Sequence, residues 1–168
     1  MKLHNVAAAA LAVLLGGCAE YSWTSRVPAD MRTVCVPVFR NESDVTELGA
    51  VAARQVLREF QRNGTFTIAS REDAAIEVQG VVKSARSGFS GGDRRSGLRM
   101  SEYDFRMEAV VSVVDRLGGR VLVDNRVYKA ETTFAAGHDL MTAMRNASGR
   151  LAEDLARQVV DDVLDYKW

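Results

Sequence analysis

Apolar and polar residues alternate with a period of two through most of residues 74–134, and this alternation predicts a three-stranded antiparallel meander. The clearest segment is 103–113, where every second residue is apolar or aromatic. Each strand has one apolar face, so the predicted sheet is covered on one side only. The letters DRLGGR at 115–120 predict a tight hairpin turn. A change of phase near Val127 and Tyr128 predicts a β-bulge or a bend in the last strand.

Two other segments follow the helical period instead. The first predicted helix has its apolar stripe at Leu48, Ala52, Val56 and Phe60. Ser43 or Asp44 is the expected N-cap, and Asn63-Gly64 is the expected end. The second predicted helix begins after Asp139, which is a good N-cap. Its stripe is Leu140, Met144, Ala147, Leu151, Leu155, Val159 and Val163.

Two short β-rich segments complete the pattern. Residues 33–39 (TVCVPVF) predict a first strand, in which Pro37 indicates an edge position or a bulge because proline lacks a backbone donor. The letters TFTIAS at 65–70 predict a short strand after the first helix. The predicted order is therefore β-α-β-β-β-β-α. We expect an α+β fold with two helices packed on one face of a mixed, mainly antiparallel sheet of four to five strands.

The N-terminal segment predicts where the protein is located. Residues 1–17 carry one positive charge and then an apolar run, which is shorter than the roughly 20 residues that a membrane-spanning helix needs. This pattern is typical of a secretory signal peptide. The run ends in LGGC, which resembles the bacterial lipobox and implies cleavage before Cys18 and acylation of Cys18. The alternative is an ordinary signal peptide that happens to contain Cys18. Ala19 follows, and its resemblance to lipoprotein sorting signals favours the outer membrane.

Three regions follow from this interpretation. Residues 1–17 form the signal peptide, residues 18–31 form a lipidated tether, and residues 32–168 form a single domain of ordinary size. With Cys18 acylated, Cys35 has no intrachain partner for a disulfide, and we expect it to be a buried strand residue.

Composition excludes several classes of function. The chain has 22 basic and 22 acidic residues, so it has no general attraction for nucleic acid. No cluster of residues predicts a metal site, a cofactor site or a nucleophile with its base. His138 lies beside the predicted helix cap, where a solvated loop histidine is the simpler interpretation. The sequence predicts a binding protein and not an enzyme.

The segment 84–101 is far longer than a hairpin connection, which usually takes about two to five residues. It is rich in Gly, Ser and Arg, and we interpret it as a long basic loop. Its glycines lack the lysine and the helix start of a phosphate-binding P-loop.

Several sequence segments, in their order along the chain, together resemble the LptE family of lipopolysaccharide-assembly lipoproteins. They are VPADMRTVCVPVFRNES, REFQRNGTFTIASREDAAIEVQGVV and SEYDFRMEAVVSVVDRLGGRVLVDNRVY, followed by the long C-terminal helix. The resemblance implies a non-enzymatic lipoprotein on the periplasmic side of the outer membrane. It further implies that the protein plugs the LptD β-barrel, assists barrel assembly, and helps to deliver lipopolysaccharide to the outer leaflet.

The same resemblance implies a role for the basic loop. Lipopolysaccharide contact is expected at Arg94, Arg95 and Arg99, with Arg86 as a weaker addition. Guanidinium groups grip phosphates in a bidentate manner, which suits lipid A. Two alternatives stay open for these arginines: a solvated hairpin tip, or contact with an acidic barrel wall. For the whole protein, the alternative is an outer-membrane lipoprotein adaptor of another envelope complex, such as a peptidoglycan synthase activator or a secretion-system component.

Overall fold

The computed structural model describes residues 26–92 and 101–168, and it has the α+β class that the sequence predicts. A short 3-10 turn at Ala29–Met31 precedes the regular elements. In chain order these elements are β1 (Thr33–Cys35), β2 (Arg40–Asn41), α1 (Leu48–Asn63), β3 (Thr67–Ile68), β4 (Ile76–Gly92), β5 (Ser101–Asp115), β6 (Val121–Ala136) and α2 (Leu140–Leu164).

The described strands form one mixed sheet of six, in the order β3-β1-β4-β5-β6, with β2 also paired to β4. The three short strands pair in parallel, and β4, β5 and β6 form the predicted antiparallel meander. We expected four to five strands, and the difference arises at residues 33–39. That segment is not one strand, because the chain leaves the ladder around Pro37, whose nitrogen carries no donor, and returns as β2.

The two ends of α1 differ in how well the sequence predicts them. The predicted end is confirmed, since Gly64 closes the helix in the left-handed conformation with φ of 76°. The predicted cap is wrong, because neither Ser43 nor Asp44 is the N-cap. The Ser43 hydroxyl instead donates to Asn41 Oδ1 at 2.7 Å and so holds a polar turn ahead of the helix. The helix begins later, after Glu47 with φ of 65°.

Helix α2 begins as predicted, since the backbone N–H of Thr142 donates to Asp139 Oδ1 at 2.9 Å. Both helices pack on the same face of the sheet and bury the stripes named above, except that Leu140 is only partly buried. They run parallel to each other. Their first turns share a small cavity lined by Val51 and Met144, and beyond their C-terminal ends the rings of Phe66 and Trp168 lie 6.4 Å apart. Within the described ranges, no helix combines the length and the apolar character needed to cross a membrane.

Part of the segment 84–101, which the sequence predicts to be a loop, is a strand. Strand β4 continues to Gly92, and residues 84–92 pair with β5 as far as Ser101, with a register shift between Phe89 and Gly91. Glycine and serine do not favour a strand by themselves. Pairing with the regular strand β5 holds these residues extended. A register shift between Val82 and Ser84 allows the ladder to continue past Lys83.

The β-bulge in β6 is present, but it lies before the predicted position. The register shifts between Val123 and Arg126, where Asn125 has φ of 43°. Asparagine tolerates this conformation better than most residues, and the Asn125 N–H donates to Ser112 Oγ at 3.0 Å. Beyond the bulge Val127 faces solvent and Tyr128 faces the core.

The meander gives the molecule two distinct ends. Strand β4 has 17 residues and therefore spans about 55 Å at about 3.3 Å per residue. Gly92 and Ser101 lie at one end, together with the start of α2. The other end holds the 116–119 turn and the beginning of β1, where Val27 and Met31 are buried. The chain thus enters the domain at the end opposite Gly92 and Ser101.

Candidate functional site

The face of the sheet opposite the helices is the candidate functional surface. We call it the open face, and it consists of the outward side chains of β4, β5 and β6. Cross-strand register places these side chains in rows: Gln79, Ser112 and Asn125; Val81, Val110 and Val127; Ser84, Glu108 and Lys129; Arg86, Arg106 and Glu131. The middle of this face is therefore apolar, and the part nearer Gly92 is charged.

Arg106 is the centre of the charged part. Its Nη2 lies 2.7 Å from Glu131 Oε1 and 3.4 Å from Asp104 Oδ2. The hydrogen bond to Glu131 raises the pKa of Arg106, and the same bond lowers the pKa of Glu131. Lys129 and Glu108 form a looser pair at 3.7 Å. Arg106, Lys129 and Glu131 are exposed, and Asp104 and Glu108 are half-buried. Solvent screens such ion pairs, so they contribute little to stability.

Arg86 differs from its neighbours on this face. It lies directly opposite Arg106 in the ladder, and like charges in that position repel each other. It is exposed, and none of the ion pairs among the described residues involves it. A concavity of about 600 Å³ lies here, lined among others by Ser84, Arg86, Gly88, Arg106 and Lys129. An anion between the two guanidinium groups would relieve their repulsion and accept hydrogen bonds from both.

Of the predicted binding residues, only Arg86 lies in the described part of the chain, on the open face of β4. Arg94, Arg95 and Arg99 lie outside the described residues, in the segment that follows Gly92. Cys18 also lies outside them. The roles of all five residues stay predictions.

Two features of the open face and its Gly92 end were not predicted from the sequence. The row of Val81, Val110 and Val127 is an apolar strip on an otherwise polar face, and Val127 remains 52% exposed. At the Gly92 end, Phe89 is 68% exposed and contacts Tyr103, with the ring centroids 6.0 Å apart. The sequence does contain a signal for the valines. In each strand they occupy the positions that alternate with the core-facing residues, where a polar side chain is expected.

The opposite end of the open face is occupied by structural ion pairs. The nearly buried Glu77 carboxylate binds Arg71 at 3.0 Å and Arg116 at 3.5 Å.

Cys35 is buried, as predicted, and the pKa of its thiol is raised, mainly because burial disfavours the thiolate. His138 is exposed in the turn before α2. Across residues 26–92 and 101–168, no group of three or more potential ligand side chains could hold a metal ion.

Comparison with known families decides the assignment. The model of the LptE lipopolysaccharide-assembly family matches residues 31–165, which is most of the chain. The chain belongs to the LptE family. As an LptE-family member it is a lipoprotein of the cell envelope, in a non-enzymatic family that serves lipopolysaccharide transport. The resemblance found in the sequence is confirmed.

Three solved structures are similar to this LptE-family chain to different degrees. A Helicobacter pylori homolog of neuraminyllactose-binding hemagglutinin matches with TM-score 0.50 and 10% identity, over 83% of this chain and 86% of that one. A minor lipoprotein from Acinetobacter baumannii matches with TM-score 0.49 and 13% identity, over 80% and 93%. The rare lipoprotein B of Shewanella oneidensis matches with TM-score 0.38 and 13% identity, over 74% and 92%. No curated protein matches the sequence.

Proposed function

We propose that this chain is an outer-membrane lipoprotein, anchored through Cys18 on the periplasmic side, that plugs an LptD-type β-barrel and assists its assembly. In the complex it helps to deliver lipopolysaccharide to the outer leaflet and binds lipopolysaccharide itself. The observation that carries the proposal is the family match over residues 31–165. No catalytic step is required of the protein.

The dimensions of the domain support a role inside a barrel. The interior of such a barrel is polar, so a plug needs a polar outer surface. The open face has such a surface, apart from the strip of valines. The hydrocarbon core of a bilayer is about 30 Å thick, and β4 alone spans about 55 Å. A domain anchored at the end where the chain enters is therefore long enough to extend across the membrane within a barrel lumen.

The distribution of basic residues supports lipopolysaccharide binding. Arg86 lies on the open face of the last part of β4 without a described ion-pair partner, and Arg94 follows it closely in the chain. Arg95 and Arg99 belong to the same segment. Arg86 is separated from the end where the chain enters the domain by more than half of the length of β4. A lipid A phosphate can be held here by several guanidinium groups, while the sugar and acyl parts remain outside the domain.

Co-purification from outer membranes tests the proposal. The full chain with a C-terminal tag is extracted in mild detergent, and the proteins that remain bound after a salt wash are identified by mass spectrometry. We expect an LptD-type barrel in stoichiometric amount. Recovery of a peptidoglycan synthase or a secretion-system component without the barrel would favour the adaptor alternative and overturn the proposal.

A further inference from the structure

The two halves of β4 differ in what lies along the edge that faces away from β5. The first half is covered there by β1, which pairs with Ile76 and Glu77, and by β2, which pairs with Val81 and Val82. Beyond Lys83, no strand among the described residues pairs with this edge. The side chains from Arg86 to Ser90 are exposed on both faces of the strand. We call this part of β4, residues 84–90, the free edge.

The register shows which backbone groups point out of the free edge. The carbonyl of Val82 points outward, because it accepts a hydrogen bond from the backbone N–H of Glu42 at 2.8 Å. Val82 pairs with Ala109 of β5, and Ala85 pairs with Met107, two residues along. Residues two apart in a strand orient their backbone groups alike, so Ala85 also points outward.

By the same alternation, Ser87 and Phe89 also direct their N–H and C=O groups outward. Three consecutive outward positions are enough to pair with a short added strand. Within the described ranges, no backbone hydrogen bond engages these groups on that side.

The other long edge of the sheet is protected, which makes the free edge of β4 distinctive. Along β6, the side chain of Gln158 on α2 donates to the Lys129 carbonyl at 2.9 Å. Arg150 on α2 donates to the Thr133 carbonyl at 3.1 Å. Helix side chains thus donate hydrogen bonds to outward carbonyls of β6. Covering an edge in this way prevents the addition of another strand. Among the described residues, no helix side chain bonds in this way to a backbone group of the free edge.

We propose that the free edge at Ala85, Ser87 and Phe89 binds an extended segment of a partner protein that carries a carboxylate opposite Arg86. The added strand makes backbone hydrogen bonds to the three outward residues, which is strand addition. Its acidic side chain lies on the open face beside Arg86, whose other cross-strand neighbour is Arg106. Its apolar side chains lie on the opposite face beside the exposed ring of Phe89. This docking surface shares Arg86 with the proposed lipopolysaccharide site, but it is defined by the outward backbone groups of Ala85, Ser87 and Phe89, which lipopolysaccharide binding does not use.

Charge argues against a second copy of this chain as the occupant. A two-fold pairing of two free edges centred on Ser87 brings both copies of Arg86 to the same face, close to each other. Each Arg86 already lies opposite Arg106, so the pairing would gather four guanidinium groups. A partner segment with a carboxylate relieves this repulsion, and opposite charges across a strand pair favour pairing.

Peptide binding to the purified full chain tests the proposal. The probe is a fluorescent seven-residue peptide that alternates valine and glutamate, and its counterpart alternates valine and lysine. We expect the glutamate peptide to bind and to slow amide exchange at Ala85, Ser87 and Phe89. Ser87→Pro removes one outward donor and leaves the bonds to β5 intact, so it should weaken binding at least tenfold. Arg86→Glu should reverse the preference between the two peptides.

Arg58→Glu is the matched control, because it makes the same charge change on the exposed side of α1 and should leave both affinities unchanged. Equal binding of the two peptides, or no amide protection at millimolar peptide, overturns the proposal. A dimer of the chain alone that Ser87→Pro dissociates also overturns it, since the occupant is then a second copy. If Ser87→Pro fails to fold, the charge reversal at Arg86 decides the question by itself.

Discussion

The hydroxyl of Tyr128 on β6 donates a 2.6 Å hydrogen bond to Asp162 Oδ2 on α2. The guanidinium of Arg126 reaches the same oxygen at 3.0 Å and lies 5.8 Å from the centre of the Tyr128 ring. One carboxylate therefore joins the last part of α2 to the strand just after its bulge. Burial raises the pKa of Tyr128, and the hydrogen bond to Asp162 raises it further.

Tyr128→Phe should lower the free energy of unfolding by about 1.5–3 kcal/mol near neutral pH, the usual contribution of a hydrogen bond to a charged group. The raised pKa also predicts an alkaline effect. In the unfolded chain the phenol ionises near pH 10. Because the folded state holds the proton more tightly, the native protein should lose stability as the pH rises above that value. Urea unfolding between neutral and alkaline pH should show a shallower loss in the variant. Tyr103→Phe is the control, and an equal effect there would contradict the assignment.

Asp115 should stabilise the β5–β6 hairpin through its turn. Its carboxylate accepts from the N–H groups of Gly118 at 2.7 Å and Leu117 at 2.9 Å, and from Arg120 Nε at 3.1 Å. The bond from Gly118 is the main cause of its lowered pKa. Asp115→Ala should cost about 2–3 kcal/mol of unfolding free energy at neutral pH.

The acid dependence of that effect has a definite sign. A lowered carboxyl pKa contributes stability above the unfolded value near pH 4, and this contribution is lost as the pH falls through the folded value. The difference between wild type and Asp115→Ala should therefore shrink in acid. Thermal or urea unfolding at several pH values measures it. Asp44→Ala, at an exposed position ahead of α1, should show no comparable difference at any pH.

Gly80→Ala should destabilise the sheet, because a methyl group there would overlap the ring of Phe39. The ring is buried and cannot move without opening the core, so the cost should be about 1–3 kcal/mol. Gly88→Ala in the same strand is the matched control, since a methyl group there meets no atom within 4 Å. Melting temperatures of the two variants measure the contrast, and equal melting temperatures would refute the close packing of Phe39 on Gly80.

Replacing Arg86, Arg94, Arg95 and Arg99 together by alanine should weaken lipopolysaccharide binding by tenfold or more. A lost charge-assisted hydrogen bond costs about 1.5 kcal/mol or more, which is roughly a factor of ten. The melting temperature should barely change, because Arg86 has no ion pair with a described residue. Titration with purified lipopolysaccharide provides the measurement, and Arg54→Ala on α1 is the control. Unchanged affinity would refute a role for these arginines in lipopolysaccharide binding.

Cys18→Ala should release the protein from the membrane, because the lipid anchor is then absent. When the barrel partner is not expressed, fractionation should find the variant in the soluble periplasmic fraction and the wild type in the membrane fraction. A variant that stays in the membrane fraction under these conditions would refute the anchor.

The periodic signals in the sequence determined the meander, the two helical stripes, the Gly64 stop and the Asp139 cap. Each depends on neighbours along the chain, which the sequence displays directly. The start of α1 was predicted wrongly because the Ser43 hydroxyl donates a hydrogen bond to Asn41 in a turn. This hydrogen bond competes with helix capping by Ser43.

Tertiary pairing decided the rest. Residues 84–92 resemble a loop in their composition, yet β5 holds them extended, so this part of the predicted loop is a strand with a free edge. The β-bulge lies at Asn125, earlier than the change of phase indicated. It is held there because the Asn125 N–H donates to Ser112 Oγ on the neighbouring strand. The opposition of Arg86 and Arg106 depends on cross-strand register. A sequence alone does not contain register, because it arises from contacts between residues about 20 positions apart in the chain.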